Sequence, residues 1–317
     1  MSETDDTAER QPIARLPRPT ATSPTTIAVV GDPHVSTRRE GGQRLPEHSE
    51  EHFRRAIADI NRRDVDGTVS VGDLSANGGP WDFEAIDSLL SDLQSPFVSV
   101  PGNHDVPATS SADHEVLPQE EFEERYAGGS VPLVRQFGDV DIVGLDSMRL
   151  QRALDSEATE EQIEWLDERL VGLDDPVVML HHPLPGMTDW LSRYEDRVEE
   201  LTIPRLWENP DPLLDVLENR DVPLVLSGHK HMPGIARTRG VWEAMAPSTC
   251  TFPQGYLLLE ITRSGTDVSF VPVADHEGLE EAFLRRHTAF TKTRMYASAA
   301  AILLSSPPID ARNGDTK

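Results

Sequence analysis

The chain has 317 residues, one cysteine, and a net charge of −26 from 55 acidic against 29 basic residues. Phosphate backbones need clustered Lys and Arg, so this balance excludes a nucleic-acid polymer as partner. Cys250 stands alone, so no disulfide forms within the chain, which fits a reducing cytoplasm. Only Lys230, Lys292 and Lys317 are lysines, and acidic excess with scarce lysine points to a halophilic protein in a salt-filled cell, where screening lets small anions approach.

Residues 1–24 are polar, charged and Pro-rich, and are expected to form a disordered tail. The start, Met1-Ser2-Glu3-Thr4, has neither the basic nor the apolar region of a signal peptide. A main domain is expected over 25–275, beginning with the buried-strand pattern Thr26 to Val30. Residues 49–63 follow as a helix with Phe53, Ala56, Ile57 and Ile60 on one face. The next strand is Thr68 to Val71, then a helix over 81–93, then a strand at Phe97 to Val100. Strand and helix alternate, which predicts parallel strands in an α/β layer.

The second half is richer in strand. Asp141 to Leu145 and Val177 to Leu180 flank a helix at Glu160 to Leu170, with Thr159 and Gln162 as its capping box. Residues 185–208 fit no core element and carry Trp190, Tyr194 and Trp207, the aromatic surface of a loop able to reach over a site. Leu224 to Leu226 is a strand, and Tyr256–Ile261 with Asp267–Val273 reads as a hairpin. Residues 276–317 are expected to be a helical extension with a polar tail. Their longest apolar run, 297–304, is far below the ~20 residues that span a bilayer, so no membrane partner is expected.

Five short blocks follow apolar runs in order: Asp32-Pro33-His34, Gly72-Asp73, Gly102-Asn103-His104-Asp105, His181-His182-Pro183 and Gly228-His229-Lys230-His231. Each supplies oxygen or imidazole donors of the kind that hold divalent metals. Residues two apart share a side, so Asp32 with His34, and His229 with His231, can face one ion. Asp73 has two oxygens and can bridge two cations. The bland reading of any one block, a helix cap or a common turn, fails for all five at strand ends together.

This set resembles the calcineurin-like metallophosphoesterase superfamily, and most closely its class III cyclic-nucleotide phosphodiesterases and glycerophosphodiesterases. The resemblance covers roughly residues 25–275 and includes Pro247-Ser248-Thr249-Cys250. It implies an α/β fold of four layers, an αββα sandwich with two facing mixed sheets. It implies two divalent ions per chain (Mn, Fe or Zn), with Asp32, His34 and His231 on one, Asn103, His181 and His229 on the other, and Asp73 between them. His104 is implied beside the substrate as electrostatic partner or general acid, oriented by Asp105, with His182 behind the ligands rather than among them. Two cations ~3.5–4 Å apart lower the pKa of a bridging water, which attacks phosphorus in line. The implied substrate is a small phosphodiester, with a cyclic nucleotide as one such, and Asn77, Trp190, Tyr194 and Trp207 are expected near it.

Two departures narrow the branch. Purple acid phosphatases carry Tyr three residues after the bridging Asp, where this chain has Ala76. Ser/Thr protein phosphatases carry a phosphate-binding Arg in a stretch that here reads Gly72-Asp73-Leu74-Ser75-Ala76-Asn77-Gly78-Gly79.

Overall fold

A computed structural model describes residues 9–107, 114–148 and 156–312. In chain order the elements are β1 (Gln11–Leu16), β2 (Thr25–Val30), α1 (Ser49–Arg63), β3 (Gly67–Ser70), α2 (Pro80–Leu90), β4 (Phe97–Ser99), the short α3 (Gln119–Phe122), β5 (Leu133–Phe137) and β6 (Val140–Gly144). They continue with α4 (Glu160–Leu170), β7 (Val177–Met179), α5 (Pro185–Ser192), α6 (Asp211–Asn219), β8 (Leu224–Ser227), β9 (Gly234–Thr238), β10 (Val241–Met245), β11 (Gly255–Thr262), β12 (Gly265–Pro272), α7 (His276–Ala289), α8 (Thr291–Ser305) and β13 (Ile309–Asp310).

The strands form two mixed sheets, one ordered β13-β1-β12-β11-β2-β3-β4 and one ordered β5-β6-β7-β8-β10-β9. The two-residue alternation of side chains builds the layers. Ile27 and Val29 of β2 face inward and join Val177, Met179, Leu224 and Leu226 in one core between the sheets. Ala28 and Val30 face outward, against Phe53, Ile57 and Ile60 of α1 and Phe83 and Ile86 of α2. On the far side, Val178 and Val225 pack against Leu166 of α4 and Leu213 and Leu217 of α6. The result is the four-layer sandwich. The Thr159 hydroxyl caps α4 by accepting from the Gln162 N–H at 3.2 Å.

One segment departs from expectation. Residues 11–16, read as tail, form β1, with Ile13, Ala14 and Leu16 buried. The strand lies between β12 and β13, pairing Gln11 with Phe270 and Ala14 with Ile309. Its partners lie some 250–300 residues away, so nothing local announces it. Residues 1–8 and 313–317 of the expected tails lie outside the described residues.

The C-terminal extension is two helices seated on the body. Met295, Tyr296, Ala299 and Ala300 of α8 pack against Met187 and Leu191 of α5 and Met245 of β10. No helix among the described residues is long and apolar enough to cross a membrane.

A surface at −26 repels itself unless counterions screen it. The melting temperature should therefore rise by ~10 °C or more between low salt and molar KCl, a few kcal/mol for a chain of this size. Scanning calorimetry checks this, and a flat profile removes the halophile reading.

Candidate metal centre and its cavity

Each of the five blocks leaves the carboxyl end of a strand: β2, β3 and β4 from one sheet, β7 and β8 from the other. Open α/β layers place their sites at that edge. Backbone lacing pulls the turns together: Asp32 N–H donates to Gly72 O at 3.1 Å, His34 N–H to Asp73 O at 3.0 Å, and Gly228 N–H to His181 O at 2.9 Å. The approach of β4 to β3 leaves no room for a side chain at Gly102, where a Cβ would lie 2.3 Å from both the Asp73 nitrogen and its Oδ1.

The lacing comes with backbone strain. Asp32, His34, Asp73, His229 and His231 all have positive φ, between 45° and 68°. Left-handed backbone is uncommon outside glycine and clusters at functional sites. Surrounding bonds hold it there. Ser248 Oγ donates to Asp32 O at 2.6 Å, and the His229 N–H donates to both Asp32 oxygens at 3.0 Å.

Two donor clusters result. In the first, Asp32, His34, Asp73 and His231 bring ligand atoms within 4.8 Å of one another, and all four are buried. His34 Nε2 lies 3.0 Å from His231 Nε2, which lies 3.3 Å from Asp32 Oδ1. In the second, His181, His182 and His229 are equally close. Asn103 Oδ1 sits 3.1 Å from His181 Nε2 and 3.0 Å from His229 Nδ1. Asp73 Oδ2 stands 3.4 Å from His34 Nε2 and 3.4 Å from His181 Nε2, one oxygen between the two clusters.

This donor set fits divalent cations. Burial holds His34, His229 and His231 well below the ordinary imidazole range, so they stay neutral with lone pairs available. Burial pushes Asp73 up, but its histidine neighbours, the charged His181 foremost, outweigh it and hold the carboxylate well below its ordinary range. Burial pushes the neighbouring Asp32 up to about 8. Burial would lower His181, yet Asp73 outweighs it and raises that imidazole to about 9. Packing so many acceptors this closely is costly without a shared cation. The arrangement supports a dinuclear divalent metal site.

His182 donates or accepts through Nδ1 at Ser147, 3.1 Å from both its Oγ and its carbonyl. Its Nε2 is buried with no partner, and the residue stands in the second cluster rather than behind it. His104 is half-buried, with Nδ1 2.7 Å from Ala76 O and Nε2 3.3 Å from an Arg44 Nη1 donor. The orientation expected from Asp105 thus comes from Ala76. The Asp105 carboxylate accepts instead from the backbone N–H groups of Leu74, Ser75 and Gly102.

The expected substrate residues scatter. Trp207 is buried in the outer core and its indole N–H donates to Pro183 O at 2.8 Å. Trp190 and Tyr194 pack, half-buried, beside the cluster that joins α5 to α8. Oriented to satisfy both neighbours, the Asn77 amide donates to Asp82 and accepts from Arg39. From residues 185–208 it is Pro204 and Leu206 that line the cavity over the donor clusters.

That cavity, about 170 Å³, is also lined by Arg44, His104, Lys230, Lys292 and Tyr296. It shares Gln43 and Arg44 with an adjoining cavity of about 380 Å³ that reaches His34 and the Gly41-Gly42 turn. A larger cavity of about 640 Å³ lies elsewhere, walled by Glu157, Glu160, Glu164 and Glu208, and its carboxylates repel a phosphoester. Burial, and then the charge of Lys292, push the Lys230 amine down to about 7. Sequence reasoning missed Arg44, Lys230, Lys292 and Tyr296. The scarcity of lysine was the one signal available for two of them.

Glu243 of β10 ties two of the turns together. Its Oε1 accepts from Leu184 N–H at 3.0 Å, just past His182, and from Ser227 Oγ at 2.5 Å, just before Gly228. Burial pushes its carboxyl from 4.5 up to about 8. The folded chain therefore keeps a proton here that the unfolded chain loses, and stability should fall as pH rises from about 5 to 8, by up to ~1.4 kcal/mol per unit. Above 8 this contribution levels off. Glu243→Gln keeps both hydrogen bonds and should flatten the slope in thermal melts from pH 5 to 9; a slope equal to the parent's overturns the assignment.

Comparisons with known proteins agree with this geometry. The profile of calcineurin-like phosphoesterases matches residues 25–233. A Synechococcus protein named a probable cyclic nucleotide phosphodiesterase is 28% identical over 236 residues, covering 71% of this chain and 84% of its own length. An Arcobacter nitrofigilis protein named a probable glycerophosphodiester phosphodiesterase GpdQ is 25% identical over 232 residues, 71% of this chain and 78% of its own. Among solved structures, a dimetal phosphatase from Danio rerio superposes with a TM-score of 0.56 at 14% identity, over 79% of this chain and 97% of that one, and so shares the fold. The chain belongs to the calcineurin-like phosphoesterase family, as a metal-dependent hydrolase of phosphoesters.

Proposed function

We propose that the chain hydrolyses a small phosphodiester, of which a cyclic nucleotide is one example, at the paired donor clusters. The observation that carries this is the single Asp73 oxygen, 3.4 Å from an imidazole of each cluster. Asp32, His34 and His231 would hold one ion, Asn103, His181 and His229 the other, and Asp73 both. Mixed Asp, Asn and His donors suit Mn, Fe or Zn. When bound, the pair of ions acidifies water and withdraws charge from phosphoryl oxygens.

The chain's own side chains do the rest. Arg44 adds a guanidinium at the cavity wall, 3.3 Å from His104 Nε2, where it can meet a phosphate oxygen. His104 presents Nε2 to the same space, because Nδ1 is committed to Ala76 O. Burial keeps the ring down near 4, so it rests neutral with an unprotonated Nε2, and it gives a proton to the leaving oxygen only after taking one at Nε2 from water. The adjoining cavity gives room for the organic part of the ester. The relatives' names support a diester over a monoester.

Hydrolysis of bis-p-nitrophenyl phosphate and p-nitrophenyl phosphate, with Mn²⁺ in molar KCl, tests this. The diester should be cleaved with the higher kcat/KM. Preference for the monoester makes the chain a phosphomonoesterase, and no cleavage of either removes catalysis from the reading.

A further inference from the structure

The chain has three lysines, and two of them line the same small cavity. Lys230 comes from the turn after β8 and Lys292 from the first turn of α8, 62 positions later. In a chain of net charge −26, Asp73 is the only acidic residue among the described residues that line that cavity. Two other cations there are already engaged: Arg44 donates to His104, and buried Arg286 donates to the carbonyls of Lys230, His231 and Phe252. The two lysines are not so engaged. Lys230 is 3% exposed, and its amine has no hydrogen-bond acceptor among the described residues. Tyr296, also of α8 and also lining the cavity, has a buried hydroxyl without a partner.

A lysine amine and a buried hydroxyl without acceptors, facing one cavity with a second ammonium, are expensive unless a ligand satisfies them. Beside the unpaired acceptor Gln43 Oε1, the uncommitted groups of Lys230, Lys292 and Tyr296 are donors, two of them cationic, which favours an anion. Donors beyond what a carboxylate needs favour a phosphoryl dianion. The scissile phosphate is already provided for by the metal clusters, His104 and Arg44. On the reading of the chain as a phosphodiesterase, we infer that its substrate carries a second, non-scissile phosphate, seated by Lys230, Lys292 and the Tyr296 hydroxyl. The C-terminal helices thus complete the substrate site, and the substrate class narrows to diesters that also bear a phosphomonoester group.

Two substrates with the same leaving group test this: thymidine 5′-(p-nitrophenyl phosphate) and the same compound phosphorylated at its 3′ oxygen. The full-length Mn²⁺-loaded chain should favour the 3′-phosphorylated compound in kcat/KM by roughly tenfold or more, the scale of hydrogen bonds to a charged group. That ratio should fall towards one in Lys230→Met, Lys292→Ala and Tyr296→Phe. Lys292 is exposed, so Lys292→Ala keeps the test alive if Lys230→Met fails to fold. A parental ratio near one overturns the inference, as does a ratio that survives in Lys292→Ala and Tyr296→Phe. If the parent cleaves neither compound, the diesterase reading fails separately. Calorimetric binding of thymidine 3′,5′-bisphosphate against thymidine 5′-phosphate then judges the subsite alone. Tighter binding of the bisphosphate, lost in Lys292→Ala, supports it, and equal affinities overturn it.

Discussion

Asp73→Ala should leave a folded chain that holds fewer than two metal ions and turns over at background. The expectation follows from one carboxylate serving two clusters. Its Oδ2 faces His34 and His181 at 3.4 Å each, while Oδ1 accepts the His104 backbone N–H at 2.8 Å. On the proposed assignment, removing it would take a donor from both ions at once, and it also removes the charge that raises His181 to about 9. His181 should then titrate lower, and the two halves of the site lose their shared anchor. Asp73→Asn is the sharper control, since it keeps an oxygen for the His104 N–H but gives up the charge. Elemental analysis of both variants, beside bis-p-nitrophenyl phosphate hydrolysis, is the measurement. Two ions per chain in Asp73→Ala would sink the bridging assignment.

His104→Ala should behave in the opposite way, losing turnover by ~10²–10⁴-fold, the usual scale of a general acid, with its metal content unchanged. The ring touches no donor cluster through a nitrogen. Its Nδ1 lies at Ala76 O and its Nε2 faces Arg44 and the cavity. Any proton it gives must therefore leave from Nε2. The deficit should be smallest for esters with good leaving groups such as nitrophenolate, which need no protonation, and largest for an alkyl ester. An equal loss on both substrates would make His104 an electrostatic partner only. Loss of an ion from the variant would move it among the ligands.

Much of this was legible because strands buried on both faces write continuous apolar runs, and the blocks sit where those runs end. Val69 and Val71, or Val178 and Leu180, announce a buried strand without any knowledge of their neighbours. What was not legible depends on segments meeting from afar. β1 has a weak local pattern and is held by residues 266–270 and 309–310. Trp207 looked like loop surface, yet Pro183 O draws its indole into the core. Arg44 and Tyr296 carry no motif. They reach the cavity because a 3₁₀ turn at Pro46–His48 and the packing of α8 on α5 bring them there.

The left-handed backbone at Asp32, His34, Asp73, His229 and His231 has a consequence for laboratory evolution. Each such residue costs on the order of 1 kcal/mol or more, and glycine or asparagine adopts the same conformation more cheaply. On the proposed assignment of these positions as ligands, bound cations would offset that cost, and selection for heat resistance would preserve all five positions. In a chelator the balance reverses. A library of variants selected only for survival of heating should then accumulate glycine and asparagine at these positions ahead of the core. The clones that melt highest would be those that had forgotten how to hold metal.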